Sequence, residues 1–173
     1  DILYRGNLDI INGNWGGYHR LFVKRENFFE DIATSPFNTP SKIRTVISAD
    51  FDNDGFDEVF MNNIGEPNKL FKILDNGKVK EISIKTALEP NGLGTGAAVA
   101  DIDNDGILEL LISHGEVGLQ KLTLYKANIV KKKNFIRIKP LNKNGAPARG
   151  ATVTLISNKR KHAKTIDSGS GYL

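Results

Sequence analysis

Two segments of this chain place carboxylates at a spacing that suits a hard cation: Asp50-Phe51-Asp52-Asn53-Asp54-Gly55-Phe56-Asp57-Glu58 and Asp101-Ile102-Asp103-Asn104-Asp105-Gly106-Ile107-Leu108-Glu109. Positions one, three and five are aspartates, position six is glycine and position nine is glutamate. Position seven, Phe56 or Ile107, offers a backbone carbonyl. Calcium takes about six to eight oxygen ligands, and the alternating spacing turns successive carboxylates toward one centre while glycine permits the tight bend. The expected ligands are therefore Asp50, Asp52, Asp54, Phe56 and Glu58 in one site, and Asp101, Asp103, Asp105, Ile107 and Glu109 in the other. Without a cation, so many carboxylates in one loop repel one another. Magnesium suits the pattern less, because it holds its waters and prefers a stricter octahedron. The plainer reading is an acidic turn that is merely solvated.

The same opening residues occur in EF-hands, which need a bidentate glutamate at position twelve and a helix on each side. Position twelve is Met61 in one loop and Ile112 in the other, and the flanks read as strands. Other chemistry is poorly provided for. His19, His114 and His162 have no metal-ligand spacing and read as packing or surface residues. Gly92 to Ala97 fits a loose dinucleotide pattern, yet Pro90 precedes it and a β-type run follows, so a strand-entry turn is expected. No nucleophile elbow or phosphate loop is present. The absence of cysteine excludes thiolate metal sites, disulfides and thiol catalysis. A non-catalytic protein is the expectation.

The two loops start 51 residues apart, and about the same interval back lies Asp1-Ile2-Leu3-Tyr4-Arg5-Gly6-Asn7-Leu8-Asp9, a decayed copy that keeps the first acid, the glycine and the last acid. Leu3 and Arg5 replace two carboxylates there, so the Asp1–Asp9 loop is expected to bind no metal. The Arg5 guanidinium either lies beside Asp1 or Asp9 and supplies the missing positive charge, or points into water. After each loop comes a short β-type stretch, at 8–11, 58–61 and 109–112, and then a second, at 20–23, 69–72 and 121–125. Further strands are expected at 28–32 and 79–84, and before the intact loops at 43–49 and 95–100. The last of these is built from Thr, Gly, Ala and Val, as crowding near the axis of a propeller demands, although a buried strand in another β architecture has the same look. About four strands per ~50 residues is the size of a propeller blade. Trp15 is either a blade-packing residue or an exposed stacking platform.

Loops of this kind at this interval resemble the FG-GAP or VCBS repeats of integrin-like β-propellers. Towards the end, Asn134-Phe135-Ile136-Arg137-Ile138, Ala148-Arg149-Gly150-Ala151-Thr152-Val153 and Asp167-Ser168-Gly169-Ser170-Gly171-Tyr172-Leu173 resemble the start of the ASPIC and UnbV domain that follows such a propeller in the cartilage acidic protein 1 family. Gly13-Asn14-Trp15, His19-Arg20-Leu21, Arg44-Thr45-Val46, Ala87-Leu88-Glu89-Pro90, Gly94-Thr95-Gly96 and Ser113-His114-Gly115-Glu116 fit the same family. The resemblance implies an all-β fold, a partial β-propeller at residues 1–130 (a decayed repeat at 1–40, repeats at 41–90 and 91–130), then the truncated start of a small β domain at 131–173. It also implies a secreted, calcium-binding, non-enzymatic module of extracellular matrix or cell surface, or a bacterial relative. The alternative is the non-catalytic repeat region of a larger secreted or bacterial enzyme.

The remaining features bear on partners. The composition, 39% hydrophobic and 25% charged, is that of an ordinary globular chain, and no apolar run approaches the ~20 residues of a membrane helix. With no initiator methionine and an opening inside a loop, the chain reads as a fragment from which a signal peptide and the other blades are missing. The expected partner is an extracellular protein or matrix glycan. The net charge of +4 gathers late, in Lys131, Lys132, Lys133, Lys139, Lys143, Lys159, Arg160 and Lys161, which are either solvated turns or a polyanion site; no motif favours nucleic acid.

Overall fold

The computed structural model describes residues 1–74, 76–128, 134–157 and 160–167. Three antiparallel sheets follow one another along the chain. The first is β1 (Ile10–Asn12), β2 (Arg20–Lys24) and β3 (Phe29–Asp31), in that spatial order. The second is β4 (Ile43–Ala49), β5 (Glu58–Asn63), β6 (Lys69–Ile73) and β7 (Val79–Ile82), followed by a single 3-10 turn at Lys85–Leu88. The third is β8 (Gly94–Ala100), β9 (Glu109–His114) and β10 (Thr123–Lys126), and a separate hairpin joins β11 (Thr152–Ser157) to β12 (Arg160–Thr165). Each strand pairs with its neighbour in sequence, so every sheet is an up-and-down meander, and none of them closes on itself.

The sheets stack, and the core lies between them. Ile2, Leu21, Val23, Phe37, Ile43, Val59, Met61, Phe71 and Ile73 fill the space between the first sheet and the second. Ile47, Ala49, Phe51, Phe60, Ala97, Leu110 and Ile112 fill the space between the second and the third. Along β5 the faces alternate: Val59 and Met61 go to one cluster and Phe60 to the other, and all six residues of the strand are buried. This is the packing of propeller blades, each sheet covered on both faces by its neighbours. The outer faces of the two end sheets bear it out, with Ile10 in the first and Leu111 and Leu124 in the third exposed.

The strands fall close to their expected positions, with two differences. The middle sheet alone has four strands among the described residues; the first holds the counterparts of β5 to β7 and the third those of β4 to β6. The first strand begins at Ile10 rather than Leu8, because the Asp9 side chain takes the Lys24 amide (2.9 Å) that strand pairing would otherwise have used. The start of the innermost strand β8 is crowded, since a Cβ on Gly94 would stand 2.1 Å from Asn62 Oδ1. Gly92 to Ala97 is a turn running into β8, with no helix after it.

Polar ties hold the sheets in register. Between the first two, the buried His19 accepts the Asn14 amide at Nδ1 (3.1 Å), so its proton is on Nε2, which donates to Ser41 Oγ at 3.0 Å; Ser41 in turn donates to Asn63 (2.8 Å). Between the second and third, Glu89 accepts from Thr123 Oγ1 (2.8 Å) and the Tyr125 hydroxyl (2.5 Å), with His114 Nε2 at 2.8 Å. Burial opposes the charge on Glu89, but these donors outweigh it and hold the carboxyl below its usual range. Trp15 is half exposed: the Arg44 guanidinium lies 4.2 Å from its ring centre and pairs with Glu116 in the bend after β9, so the tryptophan packs blades through a cation on its face.

Burial, with the Lys69 charge adding to it, lowers the His19 pKa below the ~6.5 of an unfolded chain. Its contribution to stability is therefore complete above about pH 6.5 and is lost as pH falls through the folded value. The melting temperature should drop between pH 7 and pH 5. In His19→Asn that drop should be shallower, since His162, whose pKa is also lowered by burial, still contributes, and stability at pH 7.5 should fall by about 1–3 kcal/mol. Calorimetric melts across this range check both.

Candidate metal centres

The three loops share one backbone. Position one receives the amides of positions five and six on its two oxygens: Asp54 and Gly55 on Asp50 (2.9 and 2.8 Å), Asp105 and Gly106 on Asp101 (2.9 and 3.1 Å), Arg5 and Gly6 on Asp1 (3.0 and 2.6 Å). Position nine receives the amide of position two: Phe51 on Glu58 (3.0 Å), Ile102 on Glu109 (2.8 Å), Ile2 on Asp9 (2.8 Å). The chain turns left-handed at position four (Tyr4, Asn53, Asn104) and at the glycine of position six, whose φ is +82°, +88° and +84°. Asparagine and glycine tolerate that conformation, and glycine is further required at position six of the third loop, where a Cβ would stand 2.1 Å from Phe135. Positions one, six and nine are thus structural, which is why the decayed loop keeps all three.

Positions three and five differ. In the intact loops position three clusters with positions one and nine, one oxygen each from Asp50, Asp52 and Glu58 lying within 4.8 Å of the others, and so it is for Asp101, Asp103 and Glu109, while position five, Asp54 or Asp105, meets the same strand lysine as position nine. Asp54 and Asp105 also receive the amide of position seven, Phe56 or Ile107, at 2.9 Å. The deep wall of each cluster is a glutamate, Glu58 fully buried and Glu109 at 4% exposure. In both, Oε2 is engaged by the loop amide, whereas Oε1 is buried and faces the strand lysine, Lys72 or Lys126. A buried carboxylate oxygen facing a ring of further hard oxygens is chemistry that suits a cation, a divalent ion among them. Burial, and after it the Asp52 charge, pushes Glu58 up to about 7. Asp50 is pushed up too, by burial against the pull of its two amides.

The positive charge among these carboxylates is supplied by the chain itself. Lys72 Nζ lies 2.9 Å from Asp52, against Asp54, and 3.2 Å from Glu58 Oε1. Lys126 Nζ lies 2.7 Å from Asp103, 3.0 Å from Asp105 and 2.6 Å from Glu109 Oε1. Burial opposes the charge on Lys72, but hydrogen bonds to Asp54 and Asp52 outweigh it and raise its pKa; Lys126 is raised by Asp103 and Glu109. In the decayed loop the charge comes from position five, with the Arg5 guanidinium 3.9 Å from Asp9 Oδ1 and 3.3 Å from the Lys24 carbonyl.

Part of the late basic region docks on the same loops. Arg137 pairs with Asp101 and Asn104; Arg160 lies 4.2 Å from the Phe56 ring centre, and Lys164 is 3.1 Å from the buried Asp57. The hairpin that carries Arg160 also bridges to Arg5 through Lys161 and donates the Ala163 amide to Asp1 (3.1 Å). Lys131, Lys132, Lys133 and Lys159 lie outside the described residues. The lysine partners had one legible signal: Lys72 and Lys126 lie directly opposite Glu58 and Glu109 across the ladder, a relation that appears only once strand register is known. Arg137, Arg160 and Asp57 had none.

Comparison with known proteins gives the pattern its relatives. A family model for the FG-GAP-like repeat matches residues 50–112. The chain is 45% identical to cartilage acidic protein 1 of Mus musculus over 97% of its own length and 28% of that protein's. It is 46% identical to cartilage acidic protein 1 of Xenopus tropicalis, with 97% and 28% covered, and 44% identical to that of Homo sapiens, with 97% and 27% covered. The chain thus spans a little over a quarter of the length of these relatives.

Structural and inward-facing positions should separate experimentally. Asp101→Ala removes the acceptor of two loop amides and should cost about 2–3 kcal/mol in chelator, whereas Asp103→Ala, whose carboxylate is exposed and meets Lys126, should cost less than about 1 kcal/mol. Denaturant unfolding of the two variants in EDTA reads the difference.

Proposed function

The chain is a homologue of a segment of cartilage acidic protein 1 and carries an FG-GAP-like repeat, and from that premise we propose that it is a calcium-binding, non-catalytic interaction module of a secreted protein. The observation that carries this reading is the paired buried glutamate oxygen, Glu58 Oε1 and Glu109 Oε1, facing two inward carboxylates in each intact loop. Asp50, Asp52, Asp54 and Glu58 would hold one calcium with the Phe56 carbonyl, and Asp101, Asp103, Asp105 and Glu109 the other with the Ile107 carbonyl. A bound calcium would supply charge compensation and a cross-link between the loop and its two strands, not Lewis-acid chemistry.

The residues themselves do the positioning. Each loop joins an innermost strand to the next strand of the same sheet, β4 to β5 and β8 to β9, so a stiff loop fixes the end of its blade. Rigid loops on a stacked scaffold are suited to present a binding surface to an extracellular protein or matrix glycan. In the same reading, residues 1–130 are propeller blades, and residues 131–173 begin an ASPIC and UnbV-type domain that rests on the loop side through Arg137, Arg160 and Lys164. No helix among the described residues is long and apolar enough to cross a membrane.

Titration of the metal-free chain with CaCl2 should give two binding events by calorimetry, one lost in Asp52→Asn and the other in Asp103→Asn. Calcium at a hundred times its Kd should raise stability by roughly 2.7 kcal/mol per site, seen as a higher melting temperature than in EGTA. Equal melting in both, with no heat on titration, would falsify the calcium reading.

A further inference from the structure

The two lysines in the acidic loops recur by design of the repeat. Lys72 pairs with Glu58 across β5 and β6, and Lys126 pairs with Glu109 across β9 and β10, so each ammonium starts from the strand position directly opposite the buried glutamate. The first sheet pairs Ile10 with Phe22, which puts the buried Val23 opposite Asp9, where the other two blades have lysine. That blade has instead placed Arg5 inside its loop. A strand lysine is therefore found in the two blades that keep carboxylates at positions three and five, and is replaced in the blade that has lost them.

We infer that Lys72 and Lys126 are built-in competitors for the metal: each ammonium occupies the cation position of its loop in the metal-free state and must withdraw before calcium is held. The inference rests on the calcium reading above. Its geometric basis is that each Nζ sits against three of the four carboxylates, positions three, five and nine, that would hold the cation. An ammonium and a divalent ion cannot share those oxygens at such distances, because their own repulsion is then strong. Two consequences follow. The metal-free loops keep their charge balance and remain folded, and apparent calcium affinity is reduced by the fraction of time the lysine stays out. Each lysine has the reach to leave, being 22% and 33% exposed along its side chain. Arg5 belongs to the loop that no longer has the carboxylates to exchange for.

The experiment compares Lys72→Met, Lys126→Met and the control Lys80→Met in the full chain, by CaCl2 titration calorimetry and by melting in EGTA. Lys80 lies opposite Lys72 on β7 and is exposed, so it tests the loss of one positive charge near the site without an ammonium in it. Lys72→Met and Lys126→Met should each tighten one of the two calcium sites by on the order of tenfold and lower the melting temperature in EGTA, while Lys80→Met matches wild type in both. Calcium binding in either lysine variant within twofold of wild type, or tightening in Lys80→Met as large as in Lys72→Met, overturns the competition and leaves the calcium reading standing. Absence of calcium binding in wild type and all three variants overturns the calcium reading and this inference with it.

Discussion

Like charge gathered in a tight turn is the constraint from which the rest of this structure follows. Each intact loop brings aspartates at positions one, three and five and a buried glutamate at position nine around one small volume, and the bend that does so is fixed by backbone amides donating to the first and last acids. The acids that shape the loop therefore cannot be removed without losing the turn, and the inward ones must find positive charge. The molecule answers with Lys72, Lys126 and Arg5 from within. Because the strand lysines reach across the ladder, the electrostatics of a loop are coupled to strand register two elements away.

That register is set by burial. A one-residue slip in β5 would exchange Val59 and Met61 for Phe60 between the two apolar clusters, and it would also move Glu58 away from Lys72. Packing and charge thus enforce the same alignment, and the His19 and Glu89 ties add directional bonds between neighbouring sheets. Apolar area supplies most of the cohesion in such a stack, while the polar ties choose one arrangement of it. The exposed outer face of the third sheet, with Leu111 and Leu124, shows what one blade looks like where no described neighbour covers it.

Much of this was legible in the residues. The repeat of Asp, Asp, Asp, Gly and Glu located both loops, because only glycine fits a left-handed turn at position six and only alternating acids converge on one point. The small residues of 95–100 announced a crowded strand, and Gly94, just before them, meets Asn62 closely. Lys72 and Lys126 escaped notice because a lysine on a strand is ordinary until pairing puts it opposite a buried acid. Leu8 was read as the start of a strand running to Ile11, whereas the Asp9 carboxylate takes the amide that the ladder required. For Trp15 a packing role was the favoured reading, but its partner Arg44, which covers its ring, lies 29 positions further along the chain and was not legible. The docking of Arg137, Arg160 and Lys164 on the loop side was invisible for the same reason: charge in sequence says nothing of where it will be spent.

The β11–β12 hairpin brings the Ala163 amide to the Asp1 carboxylate, and Lys161 alongside Arg5. A contact between residues 162 positions apart cannot form before everything between them has been made. Neighbouring meanders, whose pairings are local, are free to assemble during synthesis, so the loop of the first blade acquires its last covering only after everything between has been made. The Asp1–Asp9 loop thus reaches its final surroundings later than the local pairings of its own sheet form.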